Sequence, residues 1–515
     1  MNDMKTKINK LAFALIIALG FITFSCADLV VENMNEPDSA KALANPDDLT
    51  SLAGGAYRTA SNAMQEYDGP ALSMSGMADQ GSCSWGNAAM KDMGSEPRVG
   101  FVNSLTYSYF PVIRVFWEDT YSSISAVNDV LRAIEEKGIV MGQDGEDTDM
   151  VKAWCYFVSG VAHGNLGLVF DQSNVIKWDT DLETLGLTPY QSALDASVEL
   201  LDQAISIANG SSFELPAKWL GGQVYTSAEL AELASTHAAR VLAYGSRNKA
   251  HNEAIDWSKV LTYANNGTQK DLQPELGDNY DFYDMFLVYQ RYPGWGRVDH
   301  RIINLMSPDY PSRWPEDGVS WSTDDGADPG PAVSVDARLE SDFEYLADNN
   351  FPPDRGYYHY SHYRYARYDA AFTSVWYGST PKPTLLAWEN EMLKAEAMVR
   401  TGNVAGAVTV LNDPNGSRKM RGQLADVTSG SASEVLWDIF YERDIDLMDS
   451  GAGLGYYDMR RRDQLQRGTI MHYPVPATEL EIAQIPVYTI GGAPDGENVS
   501  EGSWTGLDGI TSPLN

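Results

Sequence analysis

The chain is 515 residues long, 43% apolar and 21% charged, the make-up of a globular protein rather than a disordered or fibrous one. Acidic residues outnumber basic ones 71 to 37, and the net charge of −34 argues against nucleic acid or anionic lipid headgroups as partners. Three cysteines are too few for a disulfide scaffold or a zinc cluster.

Lys5, Lys7 and Lys10 precede an apolar run, Leu11 to Phe24, followed by Ser25-Cys26-Ala27. The run is shorter than the roughly 20 residues of a membrane span, so residues 1–25 read as a secretory signal peptide. A cysteine at the first mature position points to bacterial lipoprotein processing, with the Cys26 thiol acylated. An ordinary signal peptide with an incidental cysteine is the plainer alternative. Cys83 and Cys155 then remain; separate locations and no C-x-x-C pattern favour free thiols over a disulfide. Residues 26–40 are polar and acidic and read as a tether.

From residue 41 the signals are helical. Asn45-Pro46-Asp47-Asp48 combines a cap, a first-turn proline and acids at the positive helix end. Trp117, Tyr121, Ile124, Asn128 and Leu131 share one face. Thr188-Pro189-Tyr190-Gln191 and Thr226-Ser227-Ala228-Glu229 read as capping boxes opening two more helices. A strongly helical stretch, 385–400, stops at Gly402, and a second helix follows from Val404. Such pairs resemble tetratricopeptide units, although no clean period of about 34 residues is present. Between the helices lie two long irregular regions, 64–113 and 268–335, rich in Gly, Pro, Ser, Asp and aromatics. Loops of this length in a folded domain are functional or disordered, and their aromatic content argues against disorder.

Catalytic signatures are scarce. There is no G-x-S-x-G, H-E-x-x-H or P-loop. Gly451-Ala452-Gly453-Leu454-Gly455 follows a helix, not a strand, and reads as a loop. His359 and His362 read as buried or hydrogen-bonded histidines, and the acidic run 144–149 as a solvated turn rather than a calcium loop. Seventy-one acids do not let a catalytic carboxylate pair be picked out, which leaves a glycosidase neither supported nor excluded.

The aromatics are more informative. Tyr292 and Trp295 lie in a Gly- and Pro-containing stretch, as do Trp314 and Trp321 further on. Flat rings on loops with polar neighbours suit sugars, whose C–H faces stack while hydroxyls meet polar groups. The first loop region offers a similar set: Asp79, Trp85, Asn87 and Arg98. Most aromatics in any chain serve the core, so only a minority are expected at a ligand. The tyrosine-rich run 357–377 reads as an extended piece and a helix packed on the scaffold.

Several blocks, in order, resemble the SusD/RagB family of nutrient-binding outer-membrane lipoproteins. They are the Cys26 head with Asn45-Pro46-Asp47-Asp48-Leu49 and Gly54-Gly55-Ala56-Tyr57; Trp117, Tyr121, Ile124, Asn128 and Leu131; Glu391 to Ala397 with Arg400-Thr401-Gly402; and Tyr441-Glu442-Arg443, Tyr457 to Arg461 and Pro474-Val475-Pro476. The stretch 151–175, with Gly160, Gly164 and Gly167, departs from starch-type members and points to a divergent branch. The resemblance implies a mostly α SusD-like fold: tetratricopeptide-like hairpins in one domain, 41–515, carrying the two loop regions. It implies no catalysis, no cofactor and no metal. It also implies an outer-membrane location and a SusC-like TonB-dependent transporter as partner, receiving a captured oligosaccharide. A peptide-capturing lid of the RagB type is the alternative, and a surface glycan-degrading enzyme a more distant one.

Overall fold

The computed structural model describes residues 43–86, 88–277, 282–312, 330–348, 359–372, 380–492, 498–502 and 514. Pro46 begins helix α1 (Pro46–Gln65), with Asp47 and Asp48 in its first turn. Leu49, Ala53, Ala56, Tyr57, Ala60 and Ala63 turn inward at helical spacing. The small residues on this face allow close approach. A Cβ on Gly54 would lie 2.2 Å from the Trp219 ring, and Trp154 donates its indole N–H to the Ala53 carbonyl at 2.8 Å.

Six longer helices follow: α2 (Pro111–Glu135), α3 (Thr148–Val169), α4 (Tyr190–Gly210), α5 (Ser227–Tyr244), α6 (Trp257–Asn265) and α7 (Ala387–Arg400). Helix α1 packs on α2, and each helix from α2 to α6 packs on the next. Helix α6 then packs on α7, and α7 on α8 (Val404–Leu411) and α9 (Ala432–Ile445). This is a stack of helical hairpins in which each pair buries its apolar face on its neighbours. Residues Pro46–Asn515 form one compact unit. No helix among the described residues is long and apolar enough to cross a membrane.

The three glycines of α3 explain why that stretch departs from a bulkier pattern. A Cβ on Gly160 would meet Leu201 at 2.7 Å, one on Gly164 would meet Ser197 and Val241 at 2.8 Å, and one on Gly167 would meet Leu194 at 2.7 Å. Helices α4 and α5 close directly onto this glycine seam, and Ser197 donates to the Gly160 carbonyl at 2.6 Å.

Caps follow the sequence in one case and not in the other. Thr226 accepts from the Glu229 amide at 3.2 Å, and Glu229 accepts from the Thr226 amide at 2.8 Å, a complete capping box. Thr188 makes no such box. Its hydroxyl donates to the Ser173 carbonyl, because Thr188–Pro189 (β3) pairs with Gln172–Ser173 (β2), and α4 starts at Tyr190. The stripe on α2 has a further use: Tyr121 donates to the Asn174 carbonyl, Asn128 to the Ile176 carbonyl and Arg132 to the Trp178 carbonyl, pinning the extended segment after α3.

Sheet is sparse. Gly81–Ser82 (β1) pairs antiparallel with Arg297–Val298 (β4), and Phe343–Tyr345 (β5) with Tyr363–Tyr365 (β6). The tyrosine-rich run is extended over Tyr363–Tyr365 and turns through a 3₁₀ segment, Asp369–Ala371; its continuation at residues 373–377, where the helix was expected, lies outside the described residues. Tyr365 donates to the Met448 carbonyl at 3.0 Å. Both remaining cysteines, Cys83 and Cys155, are buried and form no disulfide.

Candidate functional site

The β1–β4 ribbon is what makes a site from the two loop regions. Its register, Gly81 opposite Val298 and Ser82 opposite Arg297, brings the strand leading to Trp85 alongside the strand that follows Trp295. Cys83 seals the contact, its thiol donating to the Trp295 carbonyl at 2.6 Å. Gly81 is required there: a Cβ would fall 1.7 Å from the Gln290 amide, which itself donates to Ser75. Gly296 is required too, since a Cβ would lie 2.6 Å from the Tyr289 carbonyl.

Around this ribbon the aromatic rings gather. Trp295 stacks on Tyr289 with centroids 5.0 Å apart and planes at 27°, and Tyr292 tilts against Trp295 at 4.5 Å. Tyr67, on the turn after α1, meets Tyr289 at 6.3 Å. Trp85 follows Cys83, and the Tyr109 hydroxyl fills the space beside Gly86 where a Cβ would lie 2.5 Å away. Burial, and then the charge of Asp92 with the nearby Tyr67 and Cys83, raise the Tyr109 hydroxyl. Trp85, Tyr109, Tyr292 and Trp295 are half-buried, and Tyr67 is 40% exposed. These rings pack on the core at one edge and keep part of their surface open to solvent.

The expected site residues divide. Tyr292 and Trp295 come together on this platform of rings, and the Trp85 backbone lies beside them through Cys83, to whose sulfur its amide donates at 3.3 Å. Asp79 and Arg98 instead satisfy each other: Arg98 donates to Asp79 at 2.5 Å, to Glu96 at 3.0 Å and to Thr469 at 3.1 Å, and its side chain is 2% exposed. Asp79 is buried, at a φ of +50°, and its carbonyl takes a bond from Arg301. The pair braces the loop beneath the platform because a buried carboxylate and guanidinium are each costly without a partner. Asn87, Trp314, Trp321 and Cys26 lie outside the described residues. Tyr67, Tyr109 and Tyr289 were not picked out as site residues. The signal for Tyr67 was an aromatic in the breaker Glu66-Tyr67-Asp68-Gly69-Pro70, directly after a helix.

Carboxyls border the platform. Glu66 is raised to about 7 by burial and by its hydrogen-bonded neighbour Asp119. Asp68 is also raised, by burial, against the pull of Arg114. The histidines are occupied: His359 bonds Asp299 at 2.8 Å, and His362 bonds the Leu346 carbonyl at 3.0 Å. No group of three or more metal-ligating side chains occurs among the described residues.

Two cavities elsewhere fit a glycan less well. One, of about 60 Å³, is lined by Tyr57, Gln65, His237 and Arg240. At ~10–15 Å³ per water it suits a few ordered waters. The other, an open groove of about 520 Å³ on α2, is lined by Tyr121, Asn128 and Arg132, whose polar atoms already hold the 174–178 segment.

No protein-family model matches the chain, and no curated protein matches it in sequence. Solved structures do. A SusD-like carbohydrate-binding protein from Bacteroides fragilis is similar over 92% of this chain and 96% of its own, with a TM-score of 0.58 and 13% identity. Surface glycan-binding protein A from Bacteroides uniformis is similar over 86% and 99%, with a TM-score of 0.53 and 16% identity. A crystal structure with xylogluco-oligosaccharide is similar over 80% and 82%, with a TM-score of 0.51 and 14% identity. The stack of helical hairpins with sparse sheet is a SusD-like fold.

Proposed function

We propose that this protein is a surface glycan-binding lipoprotein that captures oligosaccharide on the platform of Tyr67, Trp85, Tyr292 and Trp295 and passes it to a SusC-like TonB-dependent transporter. The observation that carries the reading is the gathering of half-buried rings from two distant loop regions around one short ribbon. Its support is the fold, which is shared with proteins described as glycan-binding and with one solved with xylogluco-oligosaccharide. Trp314 and Trp321 belong to the second loop region and are proposed to extend the platform.

The physics suits capture and release. Each ring–sugar stack contributes about 0.5–1.5 kcal/mol, so two or three give modest affinity and fast departure. A tether at Cys26 beside a pore raises the local ligand concentration without tightening the site itself. Stable anchoring needs more than one acyl chain. Binding, not turnover, is the proposed activity, because the platform's polar groups are structural or at its rim.

Affinity electrophoresis of the purified protein through gels of xyloglucan, arabinoxylan, galactomannan and starch tests the reading. Retardation by at least one gel, with no released sugar after prolonged incubation, is expected. Free migration through every one of these gels would reject capture of neutral glycans, and released sugar would replace it with the enzyme reading.

A further inference from the structure

We infer that the platform takes uncharged glycan chains and rejects polyuronates and sulfated glycans. The inference rests on the glycan-capture reading and names the ligand class of that same site.

Recognition of an acidic sugar needs a cation with donors left for a carboxylate or sulfate, most often an arginine fork. Among the described residues, the arginines around this platform sit against protein partners. Arg291, adjacent to Tyr292, lies 3.9 Å from Asp369 and over the Phe372 ring at 4.3 Å. Arg297, two residues past Trp295, is fully buried; it donates to the carbonyls of Pro293, Gly296 and Asp348. Arg364 donates to both oxygens of Asp369, at 2.9 and 2.7 Å, and to Glu344. Arg98 is held by Asp79 and Glu96, and the more exposed Arg114 pairs with Glu118 at 2.9 Å.

The described rim is richer in carboxyls, although the exposed Lys91 sits next to Asp92. Asp68 follows the exposed ring of Tyr67, and Glu66 and Asp119 form a hydrogen-bonded carboxyl pair just before it. Two carboxyls sharing a proton still carry a negative charge at neutral pH. Asp92 takes the Tyr107 hydroxyl at 2.7 Å close by. An anionic chain laid over these rings would place its charges within a Debye length, ~8 Å at physiological salt, of such groups. A neutral chain meets no such field, and carboxylates accept hydrogen bonds from sugar hydroxyls well. The overall charge of −34 has the same sign.

The test compares gels that differ in charge: polygalacturonate against the same polymer fully methyl-esterified, and xyloglucan against xyloglucan oxidised to carboxylate at its primary hydroxyls. Chondroitin sulfate adds a sulfated polymer. The expected result is retention by at least one neutral gel, at least tenfold weaker retention by every acidic one, and retention on the neutral gel that is unchanged between 50 and 500 mM salt. Asp68→Asn with Asp119→Asn is expected to narrow the gap between a neutral polymer and its acidic form several-fold. Equal or tighter retention by an acidic gel would overturn the inference and leave glycan capture standing. Retention by none of these gels, neutral or acidic, would overturn both.

Discussion

Arg461 donates through both arms of its guanidinium to Glu396, at 2.8 and 2.7 Å, and neither side chain is exposed to solvent. Arg443 and Arg400 join the same carboxylate, and Asp458 takes Arg461, Arg462 and Arg443. Two of the sequence blocks, one on α7 and one near residue 458, are thus halves of a single buried charge lattice. Burial alone would raise the Glu396 carboxyl, but Arg461 and Arg443 outweigh it and hold the group well below the usual carboxylate range. Removing one partner strands the others: Glu396→Gln is expected to cost about 3–5 kcal/mol. The lattice contributes its stability above the ordinary glutamate range and loses it as pH falls through the depressed value. The wild type should therefore lose more stability between pH 5 and pH 3 than Glu396→Gln does, in urea unfolding followed by tryptophan fluorescence.

Glu66 behaves in the opposite sense. The folded protein keeps its proton up to about pH 7, whereas the unfolded chain releases it near 4.5. Folding stability therefore falls as pH rises between those values. Glu66→Gln should remove that slope, so that the variant gains on the wild type at pH 8 and not at pH 4. The gain is about 1 kcal/mol once partial exposure is allowed for, and thermal melts at the two pH values measure it.

The glycine seam of α3 predicts a packing defect. Gly160→Val would drive a branched side chain into Leu201, where even a Cβ meets atoms at 2.7 Å. A loss of about 1–3 kcal/mol is expected, with α4 displaced from α3. The same change at Gly210, where a Cβ would meet nothing within 4 Å, should cost far less.

Cys83 and Cys155 are buried and not disulfide-bonded, and burial pushes the Cys155 thiol far up. Both should resist a thiol reagent such as DTNB in the native protein at pH 8 and react at once in 6 M guanidinium. Fast labelling of the native protein would contradict the placement of Cys83 against Trp295.

Much of the scaffold was legible because helices announce themselves locally. The 3.6-residue period in α2, the capping box at Thr226 and the first-turn proline at Pro46 each need only neighbouring residues. The β1–β4 ribbon was not legible. Each strand is two residues long, too short for alternation to show, and its partner is over two hundred positions away. The same limit applied to Asp79 and Arg98. On loops, an acid and an arginine near aromatics read equally well as ligand contacts or as each other's partner, and only their distance of 2.5 Å decides. Tyr292 and Trp295 were found because an aromatic among glycines and prolines has no helix face to bury it.

The most direct test of the central claim is calorimetric titration of the wild type, and of Trp295→Ala and Tyr292→Ala, with oligosaccharide cut from whichever polymer retards the protein. Tyr57→Phe, inside the helical core and away from the platform, serves as the folded control. Each platform variant should lose about 2- to 12-fold in affinity, equivalent to one ring stack, while its far-UV spectrum stays native. Full affinity in both platform variants would contradict it and move the sugar to another surface of the hairpin stack.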